Sequence, residues 1–496
     1  MNRATALSED SLPSVSIPAP QYDRRGVSTG IVHLGVGAFH RSHQAMFIDR
    51  LMAQGHALDW GICGVGVLPG DRRITDVLTA QDGLYTLVLK HPDGSVEPRV
   101  IGSITECLHA PADPEAAIER MAAPSTRIVS LTITEGGYNI DPVTGGFDEH
   151  NPAVLADLEG DAPPRTVFGL VVEALRRRRE RDVPPFAVVS CDNLQGNGAL
   201  ARSAFTSFAR RLEPALGDWV EQEVHFPSSM VDRITPVTTE SDIAAVRDRF
   251  GVIDGWPVVC EPFEQWVLED SFGAAGRPPL ELAGVQLVDD VAPYELMKLR
   301  LLNASHQALC YLGYLHGYRY VHEAAQDPVF AEFLRTFMER EAKPTLEPVP
   351  GVDLDRYITT VVERFANPQV ADTLARICAD TSDRIPKFLL PVLREQRATG
   401  GAIELAALVV ASWARYAEGV DEHGAAIEVV DPLRERLTAA ASGHEANPAA
   451  FLEVREVFGD LADDERFRHA YVQSLRSLHE RGAPATLVRV LGEATA

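Results

Sequence analysis

IVHLGVGAFHRSHQ, residues 31 to 44, joins an apolar run to two glycines one residue apart and then to an apolar-periodic stretch that begins near His43. Strand, glycine turn, helix is the layout of a dinucleotide site. Gly35 permits the tight turn, and Gly37 lets backbone N–H groups approach a pyrophosphate at a helix N-terminus, where aligned peptide dipoles favour an anion. His40 holds the place of the third glycine. A bare G-x-G is also an ordinary tight turn, so the surrounding chain has to decide.

Outward from this stretch, a second apolar run, WGICGVGVL (60–68), ends at Pro69, Gly70 and Asp71. An acid after the second strand is what the adenosine ribose hydroxyls of NAD require. Asp71 lies further from the glycines than the usual ~20 residues, which calls for a longer first helix and loop. Arg72 and Arg73 follow at once and are able to hold a 2′-phosphate, so NADP stays open. Strand-like runs at 31–36, 60–68, 84–90, 128–134 and 186–191 alternate with helical patterns such as 167–179 and 197–213. That alternation is the α/β signature of a parallel sheet. After about residue 289 helical periodicity takes over, as in FAEFLRTFMEREA, VADTLARICAD and AIELAALVVASWARYA. The expected architecture is α/β: a Rossmann-like dinucleotide-binding domain over 1–288 and a mainly α-helical substrate domain over 289–496. An active site at such a boundary falls at the domain junction.

Just past that boundary, YELMKLRLLNASHQALCYLGYL (294–315) sets three polar residues into a stretch otherwise built for burial. On a regular helix Lys298, Asn303 and His306 fall within an arc of roughly 140°. Leu296, Leu299, Leu302, Leu309 and Leu312 supply packing surface. The bland alternative is a salt bridge from Glu295 to Lys298 and hydrogen-bonded core residues at 303 and 306.

Six elements stand in order along the chain: GVGAFHRSHQ (35–44), SLTITEGGYN (130–139), SCDNLQGNG (190–198), MVDRITP (230–236), EPFEQWVLED (261–270), and K-x-x-x-x-N-x-x-H at Lys298, Asn303 and His306. Together they closely resemble the mannitol dehydrogenase family, the polyol-specific long-chain dehydrogenases, from about residue 30 to the C-terminal end. The resemblance implies zinc-independent hydride transfer between a secondary alcohol and NAD, here the interconversion of D-mannitol and D-fructose. It makes Lys298 the general acid/base, Asn193 and Asn303 hydrogen-bond donors to the alkoxide or carbonyl oxygen, and His306 a contact of a neighbouring hydroxyl. Glu135 and Glu295 look like acids near the proton path, and Asp232 like a substrate contact, with a buried partnership to Arg233 as the alternative. Gly35, Gly37, Phe39 and Asp71 form the cofactor-binding set. A free lysine, with a pKa near 10.4, is too basic for this role at neutral pH, so burial and the positive nicotinamide are expected to lower it.

Further on, ARICADTSDRIPKFLLP (375–391) resembles the segment that closes the polyol pocket, which sets Arg376 and Arg384 near terminal hydroxyls of the substrate. Lysine commonly stands at position 384 in mannitol-oxidising members, and arginine there offers a wider planar fork. A hexuronate reductase acting on fructuronate or tagaturonate, or a D-arabinitol dehydrogenase, is therefore a second reading within the family. A dinucleotide sensor without turnover is a third, opposed by the presence of Lys298, Asn193, Asn303 and His306.

The chain has 496 residues and a net charge of −25, which argues against nucleic acid or an anionic membrane as partner. Six cysteines lie mostly in apolar runs, with no C-x-x-C pair and no Cys/His cluster at zinc-ligand spacing, so no metal is expected. MNRATALSEDSLPS lacks the apolar core of a signal peptide, and no run approaches the ~20 apolar residues that span a bilayer. A cytoplasmic enzyme of a small polyol or ketose is expected, and the family resemblance implies a monomer.

Overall fold

Thr29–Leu34 (β1) has a parallel strand on each edge, Gly61–Gly66 (β2) on one and Ile128–Leu131 (β4) on the other. Flanked in this way, Ile31 to Leu34 are all buried, which is why the run reads as apolar without interruption. Ile104–His109 (β3) and Ala187–Ser190 (β5) complete a five-stranded parallel sheet in the order β3-β2-β1-β4-β5. This is the doubly wound order, with its reversal between β1 and β4. The computed structural model describes residues 4–141, 146–160 and 162–495. The chain forms two compact units, Met1–Ala292 and Pro293–Ala496.

Alternation along the strands sends neighbouring residues into different cores. Val32, Leu34, Val65, Val129 and Leu131 pack with Pro114–Ala122 (α4), Val167–Glu180 (α5) and Asn197–Leu212 (α6). Ile31, Ile62, Ile128 and Val189 instead meet Met46, Phe47, Ile48 and Leu51 of Gln44–Ala53 (α2). Between β1 and α2 lies the short helix Ala38–Ser42 (α1), and β2 leads through a tight turn into Arg72–Ala80 (α3).

One strand assignment differs from the sequence reading. The run at 84–90 is a strand, Tyr85–Lys90, but it belongs to a separate sheet, antiparallel to Val96–Ile101 and parallel to Val258–Cys260. The edge of the parallel sheet is β3 instead, whose sequence ITECLH is half-buried and so carries little apolar signal. Three short strands also escaped the pattern: Ser229–Asp232 (β6), Gln265–Glu269 (β7) and Gln286–Val288 (β8), with β7 central.

Among the described residues no strand follows β8, and only isolated bridges such as Tyr320 with Thr373 occur beyond it. The helix Ala292–Met297 (α7), all but its first residue in the second unit, passes through a π-helical turn, Lys298–Asn303, and continues as Ala304–His316 (α8). Pro328–Phe337 (α9) runs into a second π-turn, Met338–Ala342. Leu374–Ile377 (α10), Thr381–Phe388 (α11), Glu404–Ala417 (α12), Arg434–Ser442 (α13) and Glu465–Thr495 (α14) follow. Residues 405–414 of α12 are buried without a break, as befits a helix apolar all round. The Glu341 carboxylate takes the N–H groups of Leu405 and Ala406 at 2.7 and 2.8 Å, capping α12 where its dipole favours negative charge. Burial nonetheless pushes the Glu341 carboxyl up to about 7, the two N–H donors opposing that rise.

Candidate active site

In the first unit the loop after β1 carries the two glycines, and they differ in kind. Gly35 has φ +97°, and a Cβ there would collide with the Thr132 carbonyl oxygen. Only glycine is compatible with that turn. Gly37 is extended, and nothing lies within 4 Å of where its side chain would start. Its smallness keeps clear the space before α1, whose first N–H groups have no acceptor within the helix. The helix starts at Ala38, not near His43; His43 is the break between α1 and α2.

His40, in the third glycine's place, lies flat on His33 with ring centroids 3.4 Å apart. His33 reaches Ser130 Oγ at 2.8 Å and Thr132 Oγ1 at 2.8 Å, and burial drives its pKa down to about 3. A stack of two neutral imidazoles thus makes the close strand-to-helix contact that a glycine otherwise allows. Phe39 is half-buried and stacks on His43 at 5.0 Å.

Asp71 closes the turn after β2, its Oδ2 accepting from Val67 and Leu68 N–H at 2.9 Å each. Oδ1 accepts no hydrogen bond among the described residues. Arg72 pairs with Asp76 at 3.0 Å, while Arg73 faces Glu240 at 3.6 Å and stacks over Trp256. Both arginines raised as 2′-phosphate contacts therefore have acidic partners of their own.

The loop after β5 presents Asn193, which is exposed. Asp192 beside it is buried and accepts from Ile133 N–H at 3.1 Å, Thr134 N–H at 2.9 Å and the Tyr138 hydroxyl at 2.8 Å. Asn197 Nδ2 donates to the carbonyls of Asp192 and Ser229 at 3.0 and 2.7 Å. Thr134 is held at φ +64°, a conformation unfavourable to a β-branched residue and typical of functional loops. Asp192, Asn197 and Tyr138 went unremarked in the sequence; the buried polar run SCDN was the available sign. The side chain of Glu135 lies outside the described residues. Asp232, at the end of β6, is buried. Arg233, its suggested partner, donates to the carbonyls of Ser42 and Glu261 at 2.7 and 3.0 Å and approaches Glu264 at 3.4 Å.

In the second unit the π-turn spans Lys298 to Asn303. Residues five apart are rotated by roughly 140° on a regular α-helix, but the i to i+5 bonding of a π-turn narrows that angle and brings them onto one face. Lys298 and Asn303 therefore share a face, and His306, three residues on in α8, lies on that same side. The regular helix assumed from spacing is corrected here: its wide arc is closed by the π-turn. Glu295, Lys298 and Asn303 are buried. Asn303 Nδ2 is buried with no hydrogen-bond partner among the described residues. His306 stacks on Phe365, centroids 4.0 Å apart.

Arg376 grips Asp372 with both ends of its fork, at 2.7 and 2.5 Å. Burial would raise the Asp372 carboxyl, but the guanidinium, helped by nearby His306, holds it below the usual carboxylate range. Arg384 donates to the carbonyls of Arg376 and Ile377 at 3.1 and 3.2 Å, which ties it to the end of α10. The two arginines are thus brought together.

The mannitol dehydrogenase Rossmann domain profile matches residues 29–282, and the mannitol dehydrogenase C-terminal domain profile matches 290–479. The chain is 46% identical to mannitol 2-dehydrogenase of Phaeosphaeria nodorum over 96% of its own length and 83% of that protein's. It is 45% identical to the enzyme of that name from Aspergillus fumigatus, covering 96% of each. Among solved structures, the Pseudomonas fluorescens mannitol 2-dehydrogenase ternary complex with NAD and D-mannitol superposes with a TM-score of 0.89 at 45% identity, over 98% of this chain and all of that one. A D-sorbitol dehydrogenase in substrate-free form gives 0.89 at 37% identity over 97% of this chain and all of that one. No helix among the described residues is long and apolar enough to cross a membrane. With both domain profiles matched in order, the chain belongs to the mannitol dehydrogenase family.

Proposed function

We propose that this chain is an NAD-dependent polyol dehydrogenase interconverting D-mannitol and D-fructose. The observation that carries the reading is its likeness, over nearly its whole length, to a mannitol 2-dehydrogenase bound to NAD and D-mannitol. In this reading residues 1–288 hold the cofactor and 289–496 carry the catalytic helix. Gly35, Gly37 and the first N–H groups of α1 would receive the pyrophosphate, Phe39 would line the site, and Asp71 Oδ1 would accept from a ribose hydroxyl. NAD, when bound, accepts the hydride.

Lys298 takes the proton of the substrate hydroxyl in oxidation and returns it in reduction. Asn303 and Asn193 donate to the oxygen on which negative charge develops; neutral amides stabilise that charge without taking the proton's place. His306 holds a neighbouring hydroxyl, and Glu295 and Glu135 relay the proton. Asp232, Arg376 and Arg384 bind the rest of the polyol. Arg376 already spends its fork on Asp372, and Arg384 donates to backbone carbonyls, so this end favours hydroxyl groups over a second carboxylate. That observation sets the uronate reading second. The six cysteines are free thiols, mostly buried, which suits a reducing compartment; a cytoplasmic monomer is the accompanying assignment.

The test against a turnover-free sensor is Lys298→Ala. Fluorescence titration is expected to show NADH binding within about twofold of wild type, while turnover falls by about 10²–10⁴. A wild-type protein without turnover on any polyol or ketose would overturn the reading.

A further inference from the structure

Three distant pieces of the second unit meet at Glu418, which follows α12, His444, just beyond α13, and His479 in α14. Their possible ligand atoms all lie within 4.8 Å of one another. Glu418 Oε1 is 3.0 Å from His479 Nε2 and 4.0 Å from His444 Nε2, and the two imidazoles stack with centroids 4.1 Å apart. Donor atoms around a tetrahedral zinc ion, each about 2.0–2.2 Å from the metal, stand roughly 3.3 Å from one another. Closing the cluster on one ion therefore takes shifts of up to about 1.5 Å and a rotation of the two stacked imidazoles, so that both ring lone pairs point to a common centre.

The carboxylate is divided in a way that points the same direction. Glu418 Oε2 accepts from Arg415 at 3.0 Å, whereas Oε1 is buried and accepts no hydrogen bond among the described residues, despite the nearby imidazole. The close neighbour of Oε1 is His479 Nε2, whose approach does not have hydrogen-bond geometry; a cation shared with the two ring nitrogens would satisfy the oxygen more fully. Beside the cluster is a cleft of about 220 Å³ bordered by His444, His479, Arg476 and Glu480, which gives a fourth ligand position access to water.

We propose that Glu418, His444 and His479 form a site for one divalent transition-metal ion of the zinc class, binding through two nitrogens and one oxygen. The ion pins the end of α12, the segment after α13, and α14 to one another. None of its ligands belongs to the residues proposed for hydride transfer, and the role proposed for it is structural. Sequence spacing concealed it because the three ligands come from separate segments.

Chelator-stripped full-length protein is titrated with ZnCl₂ by calorimetry and with CoCl₂ by visible spectroscopy. The expected result is one ion per chain, with weak d–d bands and no thiolate charge-transfer band. His444→Gln and His479→Gln, each checked for fold by circular dichroism, are each expected to weaken zinc binding by about tenfold or more. Melting temperature should rise by several degrees with zinc in wild type only. Absence of saturable zinc binding, unchanged binding by the double variant, or a thiolate band in the cobalt spectrum would overturn the proposal.

Discussion

Asn303 leaves a buried amide nitrogen without an acceptor among the described residues, an arrangement that costs about 1–3 kcal/mol until an oxygen is supplied. In the proposed mechanism the substrate's reacting oxygen would be that acceptor, so the penalty would be offset mainly as charge develops there. Asn303→Ala should then lower kcat for fructose reduction by about 10²–10³ with little change in KM, and should leave thermal stability equal to or above wild type. A lower melting temperature with kcat intact would instead assign Asn303 to the core. Lys298, Asn303 and His306 could be singled out from the sequence as candidates because polar residues stand out in an apolar helix. Asp192 and Asn197 were not, since their partners, Thr134 and Ser229, are remote in the chain and meaningful only once β4, β5 and β6 are placed.

Elements were legible where one periodicity sufficed. The strands at 29–34, 61–66 and 128–131 and the helix at 167–180 match apolar runs closely. The π-turn at 298–303 was not, because its extra residue per turn is a choice made by packing and not by hydrophobic spacing. The strand-turn-helix around Gly35 gives a clear contrast of substitutions. Gly35→Ala should destabilise the first unit by about 2–4 kcal/mol, since it adds strain at φ +97° to a backbone collision. Gly37→Ala, in open space, should leave the melting temperature unchanged while raising the dissociation constant for NADH. Equal effects on stability would contradict the division of roles. Glu341 at the head of α12 makes a pH prediction. Its folded pKa, about 7, exceeds the ordinary 4.5, so the native state binds more protons between these values and stability falls as pH rises through that window. The span corresponds to about 3 kcal/mol. Glu341→Gln should flatten the slope of unfolding free energy between about pH 4.5 and 7; an unchanged slope would show that the carboxyl is not raised.

At the scale of the whole chain, the change from alternating strands and helices to helices alone was visible near residue 289 and reflects two different packing solutions. The first unit buries a sheet between helices, whereas the second builds around α12, a helix apolar on all sides. The net charge of −25 argues against nucleic acid or an anionic membrane as partner but says nothing about the local charge of a pocket. How Arg376, Asp372 and Arg384 engage one another was not legible, because spacing carries no trace of that ion pair or of the contacts to backbone carbonyls. The decisive measurement is NADH consumption by the purified protein with D-fructose and, in parallel, D-fructuronate at matched concentrations. The account predicts a higher kcat/KM for D-fructose; a preference for D-fructuronate would contradict it and make the arginine pair a carboxylate clamp.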